Sequence, residues 1–309
     1  MVAVDLETGA VLASKNAGAL NAPASLTKVM TLFVTLGAIE TGELSLDESV
    51  TVTERAAKQP AVRFGLHPNQ LITVREALLA MHLTSANDAA ATLADAIGTE
   101  AKPFVSRMNG TAKSLGLTQT RFANASGLPN PVSVTTARDL ALLARALYLH
   151  FPGYRSLFGE TSARVRGREV VSHNGVLKSY EGAIGLKTGF TCRAGYNTIL
   201  VATRSARTVI VVVVGADSSA TRNRAARRAL DNAFVTLPTE KSEQLDSWQP
   251  SVKPKNKNIL ADSCLNGHSY AARVGGQSWS VQLKPFAKRT DAIRFARRYV
   301  RQVSGASPF

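Results

Sequence analysis

The sequence is short of cysteine, of aromatic residues and of acidic charge, and each shortage excludes something. Its two cysteines, Cys192 and Cys264, stand far apart in 309 residues. With no CxxC pair and no Cys/His cluster, the spacing writes in neither a metal site nor a disulfide framework. Cys192 reads as a buried apolar filler, as unpaired cysteines commonly are. Nothing in the chain calls for a cofactor or a metal. Aromatic residues make up only 6% of the chain and no recognition motif accompanies them, which argues against nucleic acid as a partner. Long apolar runs are missing too. The longest aliphatic stretch, Val209–Val214, is far below the roughly 20 residues a membrane-spanning helix needs, and reads as a buried strand. The opening MVAVDLETGAVLAS alternates like a strand, with no basic region ahead of an apolar one, so neither a signal peptide nor a membrane helix is expected in this sequence.

Acidic residues, 22 Asp and Glu, are outnumbered by 37 Lys and Arg, for a net charge of +15. That surplus suits an anionic setting such as nucleic acid, lipid headgroups or an acidic wall polymer, or else a plain solvated basic surface. What is plentiful is core material: 45% of the chain is hydrophobic, enough for one large domain and a smaller one.

The opening strand turns at Glu7-Thr8-Gly9 and continues through Ala10-Val11-Leu12, like a hairpin. Asn21-Ala22-Pro23-Ala24-Ser25 then leads into a helical stretch, LTKVMTLFVTLGAIE, stopped near Gly42. Two more helices, VREALLAMHL and NDAAATLADAI, are split by Thr84-Ser85-Ala86. Thr136 and Asp139 look like a capping box ahead of LALLARALYLH, with Leu140, Leu143, Ala144 and Leu147 on one face. After about Phe158 short strands follow, over Glu169–Ser172, Gly182–Lys187, Tyr196–Thr203 and Thr208–Val214, and a basic helix over Ala220–Phe234. Strands at both ends with helices between predict an α+β fold whose sheet unites the first strand with the late ones. Residues 238–263 are polar and punctuated and read as a linker. Beyond them lie one alternating strand, SWSVQLKPF, and one basic amphipathic helix, TDAIRFARRYVRQV.

Three short patterns carry chemistry. In Ser25-Leu26-Thr27-Lys28, helical spacing puts Lys28 on the face of Ser25. A serine hydroxyl needs a base within hydrogen-bond reach, and a lysine serves only with a lowered pKa, which burial and a neighbouring cation both produce. At a helix start the serine also meets free backbone N–H groups, which favour a developing oxyanion. Alone the pattern is an ordinary helix start. In Ser85-Ala86-Asn87, a hydroxyl and an amide two positions apart can relay a proton and hold a substrate amide; alone they are good helix caps. Lys187-Thr188-Gly189 closes a strand. Such a strand can bind an extended peptide edge-on, with Gly189 leaving room, Lys187 supplying a cation and Thr188 a hydroxyl.

In this order the three match the S-x-x-K, S-x-N and K-T-G set of penicillin-binding proteins and class A β-lactamases. The chain resembles the low-molecular-mass D-alanyl-D-alanine carboxypeptidases over roughly residues 1–235, through VDLETGAVLAS, PASLTKVMT, TSANDAA, FANASGL, TTARDLALLARAL and GLKTGFT followed by AGYN. The resemblance implies a β-lactamase/transpeptidase-like catalytic domain over 1–237, an antiparallel sheet with a helical subdomain. It implies attack by Ser25 on the bond between the two terminal D-alanines of a peptidoglycan stem, with Lys28 taking the proton. Ser85, Asn87 and Lys187 would pass a proton to the leaving D-alanine and orient the substrate. The N–H groups of Ser25 and Phe190 would form the oxyanion hole, and Thr188 would hold the terminal carboxylate beside Gly189. β-Lactams would be trapped at Ser25. The implied setting is the periplasm or cell envelope.

The last segment, GQSWSVQLKPFAKRTDAIRFARRYV, resembles the first half of a sporulation-related repeat, a module that binds glycan strands. It is assigned to 264–309 as a partial module. A competing reading is a basic helix lying on anionic lipid with Ile293, Ala296 and Val300 inward. Among rival activities, a β-lactamase needs an activated water, and no E-x-x-L-N segment stands between the second and third motifs. An endopeptidase acting on cross-linked stems uses the same groups. A non-catalytic wall-binding protein would lack some of them, and none is missing.

Overall fold

The computed structural model describes residues 1–98 and 101–250, and the strand segments 269–274, 277–282 and 307–308. The chain divides into two compact units, Met1–Lys255 and Asn256–Phe309.

In the first unit, β1 (Val2–Asp5) and β2 (Val11–Ser14) form the opening hairpin, and a single 3-10 turn over Ala24–Leu26 runs into α1 (Thr27–Glu40). A mostly helical stretch follows: β3 (Ser49–Thr51), α2 (Glu54–Ala57), β4 (Leu71–Thr73), α3 (Val74–Thr84), α4 (Asn87–Gly98), α5 (Ala101–Ser114), α6 (Ala137–His150) and α7 (Arg155–Gly159). The chain then turns to strand, with β5 (Ser162–Val165), β6 (Arg168–Val171), β7 (Ala183–Thr191), β8 (Gly195–Arg204) and β9 (Arg207–Ala216), before α8 (Ser219–Val235).

The expected union of early and late strands is present as a five-stranded antiparallel sheet ordered β2-β1-β9-β8-β7. Strand alternation sorts its side chains to two faces. Val2, Val4, Ile199, Val201, Ile210 and Val212 join the core shared with α1 and α6. Ala3, Leu200, Ala202, Val209, Val211 and Val213 pack with Ala226, Leu230 and Ala233 of α8. A strand covered on both sides has no polar face to show, which is why VIVVVV of β9 reads as an unbroken apolar run. The central helix α1 is buried over most of its length, Thr27 to Leu32 included. Thr73 and Glu76 close a capping box at the start of α3, and the Thr136 hydroxyl accepts from the Asp139 N–H at the start of α6.

Several expectations are corrected. Lys187-Thr188-Gly189 does not close its strand, because the β7 ladder with β8 continues to Thr191 opposite Gly195. β5 and α5 were not read from the sequence, while β6 overlaps the strand expected over Glu169–Ser172. The first part of the expected linker is folded onto the domain: Val11 N–H donates to the Glu243 carbonyl and Leu245 N–H to Gly9, while Leu245 and Trp248 are buried. Arg138, itself buried, donates to the carbonyls of Leu245, Asp246 and Trp248. Residues 243–248 therefore form a strap across the opening hairpin and α6. Cys192 is half-buried, and among the described residues no cysteine is a free thiol, so the buried-filler reading fails.

In the second unit, β10 (Ser269–Val274) pairs antiparallel with β11 (Gln277–Gln282) and with β12 (Ser307–Pro308). The strand expected at SWSVQLKPF coincides in part with β11. The basic helix expected after it, with the rest of the glycan-binding assignment, lies outside the described residues.

Candidate active site

The turn that opens α1 is held from three directions. Asn197, fully buried on β8, donates its amide to the carbonyls of Ala22 and Pro23 (3.0 and 3.3 Å) and accepts from the Gly215 N–H (2.8 Å). Asn21 donates to the Ala194 carbonyl (3.0 Å). From the third side, Gly127 and Gly189 close in. A Cβ on Gly127 would overlap the Ala24 carbonyl, and one on Gly189 would stand 2.9 Å from the Ser25 nitrogen. Ala24 itself is left-handed at φ 50°, a region costly for any side chain and retained where the surroundings over-determine it. The result is a fixed turn that presents Ser25 at the head of a helix, with β7 lying directly against it.

Lys28 follows one turn later. Its Nζ donates to Ser25 Oγ at 3.1 Å, to Asn87 Oδ1 at 2.7 Å and to the Ser126 carbonyl at 2.5 Å. It is buried, and burial pulls its pKa well below the usual lysine value; the positive charge of Lys187 adds to this and Asp88 opposes it. Each cause is of the kind that turns a lysine from a permanent cation into a base.

The second motif sits at the break between α3 and α4. Ser85 ends α3 in the left-handed conformation, φ 62°, which turns the chain sharply enough for Asn87 to begin a new helix. Asn87 is buried, gives its amide N–H to the Val62 carbonyl (2.8 Å) and its side-chain amide to the Pro60 carbonyl (2.9 Å). Its Oδ1 is thereby left facing Lys28. The third motif lies on β7. Lys187 is buried, with its pKa drawn down to about 7 by burial first and then by Arg222. Thr188 is half-buried and Phe190 is exposed, its ring against Tyr196 at 4.3 Å between centroids.

The structure thus brings Ser25, Lys28 and Asn87 into one hydrogen-bonded cluster, sets Ser85 at the turn that begins Asn87's helix, and places Gly189 against the Ser25 nitrogen. Sequence reasoning missed four participants. The Ser126 carbonyl is delivered by Asn124, whose Oδ1 accepts from the N–H groups of Ser126 (3.2 Å) and Gly127 (2.7 Å) and so folds FANASGL into a tight loop. Asn197 works through backbone carbonyls. Arg222, at the first turn of α8, is buried and electrostatically coupled to Lys187, so the α8 arginines are not uniformly solvated. Asp88 holds three backbone N–H groups of the 60–66 loop. Only the short spacings Ser25–Lys28 and Ser85–Asn87 are visible without the fold.

A serine–lysine pair at the head of a central helix, walled by an antiparallel sheet and a helix break, defines the class of penicillin-binding proteins, the serine peptidases of this fold. Within it the chain belongs to the D-alanyl-D-alanine carboxypeptidase family of S11 peptidases, whose family model matches residues 1–218. Among curated relatives it is 32% identical to the D-alanyl-D-alanine carboxypeptidase DacF of Bacillus subtilis, over 82% of this chain and 66% of that protein. It is 38% identical to DacD of Salmonella typhimurium over 74% of this chain and 60% of that protein. The chain therefore spans 60 to 66% of the length of these two relatives. Among solved structures it is similar to DacD of Francisella tularensis, with a TM-score of 0.73, 29% identity, 76% of this chain and 69% of the other. It is also similar to ampicillin-bound penicillin-binding protein D2 of Listeria monocytogenes, with a TM-score of 0.70, 34% identity, 75% of this chain and 95% of the other.

Proposed function

We propose that this chain is a serine D-alanyl-D-alanine carboxypeptidase that removes the terminal D-alanine from peptidoglycan stem peptides in the cell envelope. The observation that carries the reading is the hydrogen bond from Lys28 Nζ to Ser25 Oγ, made by a lysine whose burial favours the neutral amine.

Ser25 Oγ attacks the carbonyl carbon of the penultimate D-alanine while its proton passes to the neutral Lys28 amine. The carbonyl oxygen becomes an oxyanion, received by the N–H of Ser25 and that of Phe190 on the adjacent strand. The proton then travels through Ser85 to the nitrogen of the departing D-alanine. Asn87 holds Lys28 and the substrate amide in line. Lys187, with Arg222 behind it, and Thr188 receive the terminal carboxylate, and the substrate backbone lies along β7 where Gly189 leaves room. Water, activated by the same amine, releases the shortened peptide. A β-lactam follows the same first step and stays on Ser25, in keeping with the ampicillin-bound relative.

The test is release of free D-alanine from a pentapeptide ending in D-Ala-D-Ala, with Ser25→Ala alongside. The parent is expected to release D-alanine and the variant to release none. Equal rates would remove Ser25 from the mechanism, and no release by a parent that cleaves cross-linked dimers would move the reading to an endopeptidase.

A further inference from the structure

The proposed mechanism leaves the β5–β6 hairpin unused, yet the hairpin carries three arginines within five residues, Arg164, Arg166 and Arg168. Two of them are engaged with the opposite wall of the site. Arg168 lies over the Phe64 ring, its guanidinium carbon 4.2 Å from the centroid, and donates through Nη2 to the Phe64 carbonyl at 3.2 Å. Arg166 donates through Nη1 to the Leu71 carbonyl at 2.5 Å, and its N–H goes to Glu76 Oε1 at 2.9 Å in the first turn of α3. Past the hairpin, the His173 N–H bonds the Leu83 carbonyl at 3.0 Å, two residues before Ser85.

Phe64 is the residue through which this grip reaches the chemistry. Its N–H donates to Asp88 Oδ1 at 2.9 Å, and Gly65 and Leu66 donate to Asp88 Oδ2 at 2.8 and 3.0 Å. Asp88 adjoins Asn87 in sequence, and Asn87 takes both of its amide anchors, the carbonyls of Pro60 and Val62, from the same loop. The loop contains left-handed Ala61 (φ 63°) and Gly65 (φ 95°), so it has no regular secondary structure of its own to hold it. It is held by Asn87 and Asp88, by the burial of Phe64 and Leu66 in the core, and by Arg168 from the hairpin.

We propose that Arg168 is a positioning residue: by stacking on Phe64 it fixes the 60–66 loop, and through that loop the orientation in which Asn87 Oδ1 meets Lys28. A planar guanidinium suits the task, because it can lie flat on a ring and donate to a carbonyl at the same time, which an ammonium does poorly. The hairpin is the element before β7, the strand that carries Lys187, with residues 172–182 between them. This inference rests on the carboxypeptidase reading for its consequence, and on geometry alone for the contact.

The experiment uses the full chain and a fluorescent penicillin as acylation probe, with hydrogen exchange read at Asn87, Phe64, Gly65 and Leu66. In Arg168→Ala, acylation is expected to slow about tenfold while the thermal midpoint stays within a few degrees, and the four amides exchange faster. Phe64→Leu should slow acylation similarly, Phe64→Tyr should keep the parental rate, and Arg168→Lys should recover only part of it. Because both residues act through one contact, Arg168→Ala with Phe64→Leu should be no slower than the slower single variant. Acylation within twofold of the parent in Arg168→Ala, or additive losses in the double variant, would overturn the proposal. If the parent itself is not labelled at Ser25, the functional reading has failed, and the exchange rates alone then decide: unchanged protection at Asn87 and Gly65 in Arg168→Ala sinks the clamp.

Discussion

The proposed role of Ser25 depends on small neighbours where the strand must pass. Gly189 stands where any Cβ would press to 2.9 Å from the Ser25 nitrogen, an N–H that the mechanism reserves for the oxyanion. Gly189→Ala is therefore expected to push β7 away from the turn and to lower the acylation rate by at least a hundredfold, the order seen when an oxyanion donor is lost. The fold itself should survive, since the β7 ladder on β8 does not depend on that contact. Stopped-flow acylation by a penicillin, beside a circular-dichroism melt, checks both halves; a variant acylated at the parental rate would show that β7 can yield without harm. At this scale the sequence was legible wherever partners lie three or two positions apart, as Lys28 does from Ser25 and Asn87 from Ser85. It was illegible where the partner is a main-chain carbonyl delivered from far away. Ser126 lies 98 residues from Lys28, and Asn197 reaches Ala22 across 175. No side-chain type announces that a carbonyl will serve as acceptor, so these contacts exist only in the fold.

Among elements, the strap over residues 243–248 is the one whose sequence misled most. Its polar run of Glu, Gln, Asp and Ser between Pro238 and Pro250 looks like a linker, yet its main-chain carbonyls satisfy a buried guanidinium. Arg138 also donates to the Gly116 carbonyl and pairs with Asp139; removing the strap would strip three of its acceptors and take away the burial of Leu245 and Trp248. Compared with a chain ended after residue 250, one ended after residue 237 is expected to lose about 3–5 kcal/mol, the order of burying two large apolar side chains, Leu245 and Trp248. For a domain of this size that corresponds to a fall of about 10 °C in the thermal midpoint. The chain ended after residue 250 keeps the strap and lacks the same later residues, so calorimetry on the two isolates the strap; equal midpoints would mean it contributes nothing. The long helices and the apolar late strands were readable from periodicity, because burial on one face, or on two, leaves a pattern. β5 and α5 were not, since a short arginine-rich strand and a helix containing Pro103 and Gly110 carry little of that pattern.

The whole molecule carries its excess positive charge partly inside, and this has a thermodynamic signature. In the unfolded chain Lys187 titrates near the ordinary 10.5, whereas in the fold it titrates at about 7. Between those values the native state binds fewer protons than the unfolded one, so the unfolding free energy rises with pH across that window, by up to about 1.4 kcal/mol per unit for one group. Lys28, lowered in the same direction, adds to the slope. The parent is therefore expected to gain stability from pH 7 to pH 9 relative to Lys187→Met, which lacks that titration. Urea unfolding of both proteins at the two pH values measures the difference. Parallel curves would mean that Lys187 keeps its proton in the folded state.

The placing of the first strand has a consequence in time. β1 pairs on one side with β2 and on the other with β9, so that Val2 to Asp5 meet Val209 to Val212. The seam between β1 and β9 thus joins an early part of this chain to residues some two hundred positions further on, a non-local pairing that must wait for loop closure and is slow to form. Until β9 has emerged, β1 has only its hairpin partner and the sheet has no centre. A chain of this topology therefore keeps its sheet unassembled until β9 is available, and the seat of Ser25, which leans on Asn197 of β8 and Gly189 of β7, is completed only then.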